Sequence, residues 1–454
     1  MKQIFTLSSI FICFSAAFSQ HAPLESGGGE FVLESSADKC LSDIDRSEIK
    51  MRLRENAALL IAEGKLSPPS GDREDVKFIW PLQKADGFEW NSYYGISNFV
   101  DQNTSVDFLG DYHCDERTYD GHYGTDIFTW PFPWHMYANN LVEVIAGESG
   151  VIIEKDDGFE DDHCECYGSW NAVYVQHEDG SVAWYGHLKK ESLTTKEVGD
   201  AVVAGEYLGI VASSGCSTGP HLHLEVYDAE SNLIDPYAGD CNDLNADSWW
   251  EIQPENRAPQ LNVLLTHDAV PEQGCPEINE DPHMQNDFYP GDVLYTAFYF
   301  HDALAGSVGN YRLRMPDGTV WQDWSSTSPE TYNASWWYWS WDLPDAGPFG
   351  VWTLEADFAG ETLIHEFNYG VYAANKELHL VPITFSPNPT NTGEIYLSKG
   401  VQNMPVQIYD STGKLLMDEQ LTGQRLNLNH LAKGMYIAHF ELNGQLYKQQ
   451  IVLN

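Results

Sequence analysis

Two histidines two residues apart, in the stretch 219–226 (GPHLHLEV), constrain the fold of this chain most strongly. Successive side chains of a β-strand point to opposite faces, so His221 and His223 share one face while Leu222 and Leu224 share the other. The leucine face is typical of a hydrophobic core. The histidine face then indicates a chemical role, because buried imidazoles need polar or metal partners.

Short β-type runs separated by turn signals surround this strand. VEVIAG, GVIIE, NAVYVQHEDGSVAWYGHL and YLGIVAS all have strand-like lengths, and Asp179-Gly180 is one of the turns. We therefore expect residues 78–240 to form an antiparallel β-sheet domain in a mainly β protein. Residues 20–77 precede it as an N-terminal segment and a candidate propeptide. Within that segment, residues 40–64 have the apolar spacing of a helix.

A β-sandwich of the Ig-like type is expected at residues 258–375, because strand-like runs alternate there with turns. The run 335–341 (SWWYWSW) places three tryptophans on one face, and Trp336 and Tyr338 on the other. These faces form either a platform for a glycan or peptide, or the sandwich core and its cover. The second alternative is favoured. Residues 380–454 predict a small C-terminal β-sandwich with a hairpin turn at Asn443-Gly444.

The net charge of the chain indicates which partners it can have, and its N-terminal residues indicate where it is located. The chain carries 68 acidic and 24 basic residues, a formal net charge of −44, which disfavours nucleic acid as a partner. Residues 1–19 combine a lysine, an apolar stretch and a small-x-small site, as in a cleaved signal peptide. No later run reaches the ~18 apolar residues of a transmembrane segment. We therefore expect an exported protein without a membrane span.

The cysteines are consistent with export. The chain has eight, and Cys13 leaves with the signal peptide, so an odd number remains and at least one thiol is unpaired within the chain. Cys164 and Cys166 flank a single glutamate, a spacing that also occurs in metal sites. Export and the acidic surroundings favour disulfides for them.

Metal-ligand side chains recur through the β domain. GHYGTD supplies His122 and Asp126, WYGHL supplies His187, and the central strand supplies His221 and His223. Two imidazoles and one carboxylate suit Zn²⁺, with a fourth position left for water. The remaining histidines could carry protons or stabilise an oxyanion. Spacing alone does not select which three residues are the ligands.

GHYGTDI, YGHL and SSGCSTGPHLHLEV resemble the three signature motifs of the M23 zinc peptidases, the lysostaphin-type or LytM-type endopeptidases. The resemblance covers residues 78–240. It implies one zinc ion bound by His122, Asp126 and His223, with His187 and His221 as catalytic histidines. The implied reaction is hydrolysis of a peptide bond in peptidoglycan cross-links or stems.

Insertions between these motifs are longer and more aromatic than in a minimal member of that family. DYHCDERTYD and FTWPFPWHMYANN are expected to form walls of the substrate groove. Tyr112, Arg117, Tyr123 and Trp130 in and beside these insertions either contact the substrate or pack a loop. The sequence favours neither alternative.

The last ~70 residues resemble the type IX secretion sorting domain of Bacteroidetes, through SPNP, VQIYDSTGKLL and GMYIAHFELNGQLYKQQIV. The resemblance implies the type IX secretion machinery as a partner, and a secreted or outer-surface location. Three other functions remain open: an exported protease for glycine-rich proteins, a non-catalytic LytM-type module that binds cell wall, and an adhesive protein that binds carbohydrate through the tryptophan-rich unit.

Overall fold

The computed structural model describes residues 22–32, 40–69, 76–103, 105, 108–275, 280–370, 385–410, 414–442 and 445–454. They belong to two units, which divide after Val371. The expected signal peptide and the expected turn at Asn443-Gly444 lie outside the described residues. Within the described part of the chain, no helix is both long and apolar enough to cross a membrane.

The amino-terminal half of the first unit is mostly antiparallel sheet. Its helices are α1 (Asp43–Ala62) and α2 (Pro133–Asn139). Its strands are β1 (Ser26–Glu30), β2 (Leu82–Lys84), β3 (Tyr94–Asn98), β4 (Thr125–Thr129), β5 (Val142–Ile145), β6 (Gly150–Asp156), β7 (Ala172–Gln176), β8 (Val182–Gly186), β9 (Ala201–Val202), β10 (Tyr207–Ile210), β11 (His221–Tyr227) and β12 (Leu233–Ile234).

Two sheets enclose the core of this half. The larger sheet has the order β3-β4-β11-β8-β7-β6-β9, with β12 paired to β11, and the smaller has the order β10-β5-β2. Leu222, Leu224 and Val226 of β11 point into the apolar core, together with Ile127 of β4. The leucine face of the histidine strand is therefore core, as the alternation predicts. The opposite face carries the histidines.

Helix α1 lies over the other face of the larger sheet. Its N-cap is Ser42, whose hydroxyl oxygen accepts a hydrogen bond from the Asp45 amide at 3.1 Å. The chain leaves the helix at Gly64, whose φ of 72° favours glycine. Leu53 and Leu60 pack on Trp184 and Tyr227 of the sheet. The sequence predicts a helix at this place, but not the face of the sheet that the helix covers.

The remainder of the first unit is a β-sandwich. Its strands are β13 (Gln260–His267), β14 (Asp287–Phe288), β15 (Val293–His301), β16 (Val308–Arg314), β17 (Val320–Thr327), β18 (Ala334–Asp342), β19 (Gly350–Phe358) and β20 (Glu361–Tyr369). One sheet has the order β1-β18-β15-β13 and the other β14-β20-β19-β16-β17. The N-terminal strand β1 thus completes the edge of this sandwich, pairing with β18.

The tryptophan-rich strand β18 separates two apolar regions. Trp337, Trp339 and Trp341 pack in or against the sandwich core. Trp336 and Tyr338 pack against a second cluster, which joins the sandwich to the larger sheet of the amino-terminal half through Phe128, Trp130 and Phe132. The alternation predicted from the sequence is confirmed. Both faces are occupied by packing within the chain, as the core-and-cover alternative requires.

Polar and covalent links add to this apolar junction. Arg117 donates to the Asp302 carboxylate at 2.7 Å, and both side chains are buried. Trp130 Nε1 donates to the carbonyl oxygen of Phe300 at 3.1 Å. A disulfide joins Cys164 to Cys275. Residues 78–240 and 258–370 therefore share one unit, and their division into separate domains stays a prediction.

Six of the cysteines form disulfides, as export predicts. Besides Cys164–Cys275, the pairs are Cys114–Cys241 and Cys166–Cys216. Cys164 and Cys166 therefore serve two separate bridges and no shared metal site. Cys40 is the one free cysteine among the described residues, and it is buried.

The second unit is a small β structure of its own. Its strands are β21 (Phe385–Ser386), β22 (Glu394–Asp410), β23 (Leu415–Asn427), β24 (Gly434–Leu442) and β25 (Gln445–Leu453). The sheet runs β21-β22-β24-β25, with β23 also paired to β22. Tyr436, Ala438 and Phe440 of β24 face its core, in agreement with the predicted alternation.

Candidate active site

Strand pairing brings the sequence motifs together. The strand β11 lies between β4 and β8 and is antiparallel to both. In this register His223 stands opposite Asp126 on one side and Gly186 on the other. His187 directly follows Gly186 at the end of β8, with a φ of 62°. Three motifs that are far apart in sequence therefore meet on one face of the larger sheet.

His122, Asp126 and His223 form a compact cluster of metal-ligand atoms. His122 Nε2 lies 3.1 Å from Asp126 Oδ2, and His223 Nδ1 lies 2.7 Å from Asp126 Oδ1. The two ring nitrogens are 3.3 Å apart. One ligand atom from each residue lies within 4.8 Å of the others, and all three side chains are buried. Two imidazoles and a carboxylate at this spacing suit a single Zn²⁺ ion.

Hydrogen bonds behind the cluster orient both imidazoles. His122 Nδ1 donates to the carbonyl oxygen of Phe99 at 2.7 Å, which leaves the lone pair of Nε2 facing the cluster. His223 Nε2 donates to Glu225 Oε1 at 3.0 Å, which leaves Nδ1 facing it. Asn98 donates to Asp126 Oδ2 at 3.1 Å. Outer partners of this kind are what metal-ligating imidazoles and carboxylates require, so these residues fit zinc.

Two motif glycines leave room for this arrangement. A Cβ atom on Gly124 would stand 2.7 Å from His223 Nε2, and one on Gly186 would stand 2.2 Å from a ring carbon of Trp170. Both distances are shorter than van der Waals contact allows. The glycines of GHYGTD and YGHL are therefore needed to let the imidazole and the indole approach the strands.

His187 and His221 stand side by side next to the cluster. Their ring centroids are 4.4 Å apart. His187 Nδ1 donates to the carbonyl oxygen of Ser214 at 2.5 Å, and His221 Nδ1 donates to that of Gly219 at 2.8 Å. Both Nε2 atoms then carry a lone pair directed away from the backbone. In this state each can accept a proton.

The buried charges of the site balance one another. Burial alone would raise the pKa of Asp126, but His122, His221 and His223 hold it well below its usual range. Burial would lower the pKa of His223, but the neighbouring Asp126 and Glu225 raise it to about 9. Burial and the adjacent imidazoles His221 and His223 lower the pKa of His187 well below its usual value. His187 is therefore neutral, as a proton acceptor must be.

Glu225 and Arg46 belong to the site, although the sequence motifs do not include them. Glu225 is fully buried and accepts from His223 and from Arg46, whose guanidinium approaches it to 2.8 and 3.2 Å. The Tyr227 hydroxyl also donates to it. Because Glu225 continues the alternation of His221 and His223, its position on the histidine face could have been recognised. Arg46 lies on α1 and gives no such signal.

The predicted substrate-contact residues are held mainly by packing. Tyr112 is buried against Phe99 and Tyr237, and Trp130 is buried at the sandwich junction. Arg117 is buried by its bonds to Asp302 and to backbone carbonyls. Three of the four therefore pack loops or interfaces. Tyr123 is half-buried with Arg46 stacked on its ring, at 4.0 Å from the centroid. A role in substrate binding stays a prediction for Tyr123.

Comparisons with known proteins identify two families in the chain. Residues 121–236 match the family described as Peptidase family M23, and residues 384–454 match the Secretion system C-terminal sorting domain. The chain is 36% identical over 105 residues to lysostaphin of Staphylococcus simulans, which covers 23% of this chain and 17% of lysostaphin. It is 35% identical over 105 residues to the glycyl-glycine endopeptidase ALE-1 of Staphylococcus capitis, covering 23% of this chain and 24% of that protein.

The catalytic domain of lysostaphin from Staphylococcus simulans is similar in structure, with 25% identity and a TM-score of 0.19, covering 34% of this chain and 96% of that domain. The chain thus spans less than a quarter of the length of the curated relatives that it matches. The fold and the two family matches define a mainly β protein that carries a peptidase domain. That domain is of peptidase family M23, and a secretion-system sorting domain follows it at the C-terminus.

Proposed function

We propose that this chain is a secreted zinc-dependent endopeptidase that hydrolyses peptide bonds in peptidoglycan cross-links or stems. The observation that carries the proposal is the convergence of His122 Nε2, Asp126 and His223 Nδ1, each oriented by a second hydrogen bond. Zinc at such a site lowers the pKa of a bound water towards neutrality and polarises a carbonyl group. ALE-1 is described as a glycyl-glycine endopeptidase, which supports cleavage of peptide bonds at glycine.

His187 and His221 are proposed to act in catalysis and not as metal ligands. His187 is neutral, with Nε2 able to accept a proton from the attacking water and return it to the leaving amine. His221 has its Nδ1 proton on the Gly219 carbonyl. In its protonated form its Nε2 donates to the oxyanion of the tetrahedral intermediate. The carbonyls of Ser214 and Gly219 hold both rings in the required orientation.

Export is the second part of the proposal. The sorting domain at 384–454 supports passage through a type IX secretion system, and the signal peptide expected at 1–19 would provide entry to the periplasm. Disulfides in the first unit agree with an oxidising compartment. The natural target is then outside the cell that makes the protein.

The substrate is identified by incubating the purified chain with isolated peptidoglycan and, separately, with a glycine-rich protein. We expect mass spectrometry to find new amino termini in peptidoglycan, at glycine or D-alanine bonds. A chelator should suppress them and added zinc should restore them. Cleavage of the glycine-rich protein alone would assign the alternative substrate. Hydrolysis that is unaffected by chelator, or absent from both substrates even when Cys40 is replaced by serine, would contradict the proposal.

A further inference from the structure

The N-terminal segment reaches the histidine face of the sheet. Cys40 lies just before Ser42, the N-cap of α1, and its side chain is 9% exposed. Its Sγ atom lies 3.1 Å from His187 Nε2. Because His187 Nδ1 already donates to the Ser214 carbonyl, the lone pair of Nε2 faces the sulfur. The thiol therefore engages the nitrogen that is proposed to accept the proton during hydrolysis.

Cys40 also lies within reach of the metal cluster. Its Sγ, a nitrogen of His187 and a nitrogen of His223 lie within 4.8 Å of one another. His223 belongs as well to the cluster with His122 and Asp126, so the two groups adjoin. Ligand atoms in a tetrahedral zinc site are roughly 3.3–3.8 Å apart, so small side-chain shifts bring the sulfur into that shell. Thiolate is a strong zinc ligand.

An ion pair holds the segment in this place. Arg46 donates twice to Glu225, and Glu225 in turn holds the ring of His223. The Arg46 guanidinium also lies over the ring of Tyr123. The helix is therefore attached to the residue that orients a metal ligand. Docking of α1 and the geometry of the site depend on the same side chain.

Beyond Arg46 the helix keeps polar contacts with the sheet, since Arg52 pairs with Asp156 and Asn56 donates to the Ile153 carbonyl at 3.1 Å, but its apolar contact is incomplete. A cavity of about 230 Å³ lies between α1 and the sheet, lined by Leu53, Ala57 and Ile61 on the helix and by Ile153 and Trp184 on the sheet. Ile44, Met51 and Leu59 on the same helix are exposed. Cavities weaken an interface, because their lining atoms lose van der Waals contacts. The segment is thus held by polar contacts at several points, and the incomplete apolar contact makes its withdrawal less costly.

We propose that Cys40 is a fourth ligand of the metal centre, supplied by the N-terminal segment, and that it keeps the peptidase latent until the segment is withdrawn. This inference rests on the proposed zinc site. Binding uses the thiolate, so the thiol proton is released to solvent. With Cys40 in place, its sulfur fills the open coordination position and stands against His187 Nε2, so that it covers this nitrogen. A peptide substrate then has no access to either.

The test uses the full chain loaded with Co²⁺ in place of zinc. A thiolate ligand produces a sulfur-to-cobalt charge-transfer band in the near ultraviolet, which nitrogen and oxygen ligands do not. We expect the band in the unmodified chain and its loss in Cys40→Ser, while the metal content of both proteins stays equal. Ser47→Ala is the matched control, since its exposed hydroxyl donates to the Asp43 carbonyl on the same helix at 2.7 Å. This variant should keep the band.

Activity provides a second readout. Cys40→Ser should hydrolyse peptide about tenfold faster than the unmodified chain, or more, because removing the ligand raises the small fraction of open enzyme. A third readout needs no variant: zinc should slow alkylation of Cys40 by iodoacetamide at least about tenfold, since a coordinated thiolate is not free to react. Ser47→Ala should match the unmodified chain in both assays.

Three results would overturn the inference. The first is a charge-transfer band that survives in Cys40→Ser, and the second is its absence from unmodified chain that holds the metal. Alkylation of Cys40 at the same rate with and without zinc is the third. All three leave the zinc peptidase proposal standing. Failure of the unmodified chain to bind any metal removes both proposals together, so the two failures are distinguishable.

Discussion

Replacing His223 by alanine is expected to abolish metal binding and peptide hydrolysis together. The substitution, made in the Cys40→Ser background, removes the Nδ1 atom that faces Asp126 and leaves two protein ligands, His122 and Asp126. Zinc should fall from about one ion per chain to near zero, because structural and catalytic zinc sites need at least three protein ligands. Activity should fall by at least ~10³-fold, the loss that follows from several kcal/mol of missing charge stabilisation.

Atomic absorption on dialysed protein measures the metal content, and a peptide-release assay measures the rate. The variant and its control are both made in the Cys40→Ser background, so that neither the sulfur ligand nor latency conceals the effect of His223. His113→Ala is the matched control, because His113 is exposed and paired only with Asp115. It should bind zinc and hydrolyse peptide as before. A His223→Ala protein that keeps its zinc would show that the ligand assignment is wrong.

Replacing His221 by alanine should separate metal binding from catalysis. His221 stands on the same strand face as His223, but its Nε2 is 3.5 Å from Asp126, against 2.7 Å for His223 Nδ1. We expect zinc content to be unchanged. The rate should fall by ~10²–10⁴-fold, as for the loss of one proton carrier or oxyanion donor.

The KM of His221→Ala for a peptide should change much less than its kcat, because His221 is proposed to act on the transition state. His187→Ala should behave in the same way. Loss of zinc from His221→Ala, with retention in His223→Ala, would exchange the roles of the two histidines. Equal activity of His221→Ala and the unmodified chain would exclude His221 from catalysis.

The alternation of side chains in single strands allowed much of the fold to be predicted. The leucine and histidine faces of β11 and the two aromatic faces of β18 follow directly from a two-residue period. Motif resemblance grouped His122, Asp126, His187, His221 and His223. Neither signal reveals the hydrogen bonds that the histidines donate to the carbonyl oxygens of Phe99, Ser214 and Gly219, because every residue type has the same backbone carbonyl.

Contacts between segments that are distant in sequence could not be predicted from side-chain alternation or from motif resemblance. Cys40 and His187 are 147 residues apart, and Arg46 and Glu225 are 179 apart. An odd number of cysteines indicated a free thiol without locating it. For Tyr112, Arg117 and Trp130 the sequence favours neither substrate contact nor loop packing, yet each is buried by residues more than a hundred positions away. The pattern of neighbouring residues in the sequence does not show whether a residue is buried by a distant segment.

Diffraction at the zinc absorption edge, from crystals of the full chain, tests the central claim most directly. The account predicts one anomalous peak at about 2.0–2.2 Å from His122 Nε2, a carboxylate oxygen of Asp126 and His223 Nδ1. A peak held by other side chains, or no peak at these three residues after loading with zinc, would contradict it.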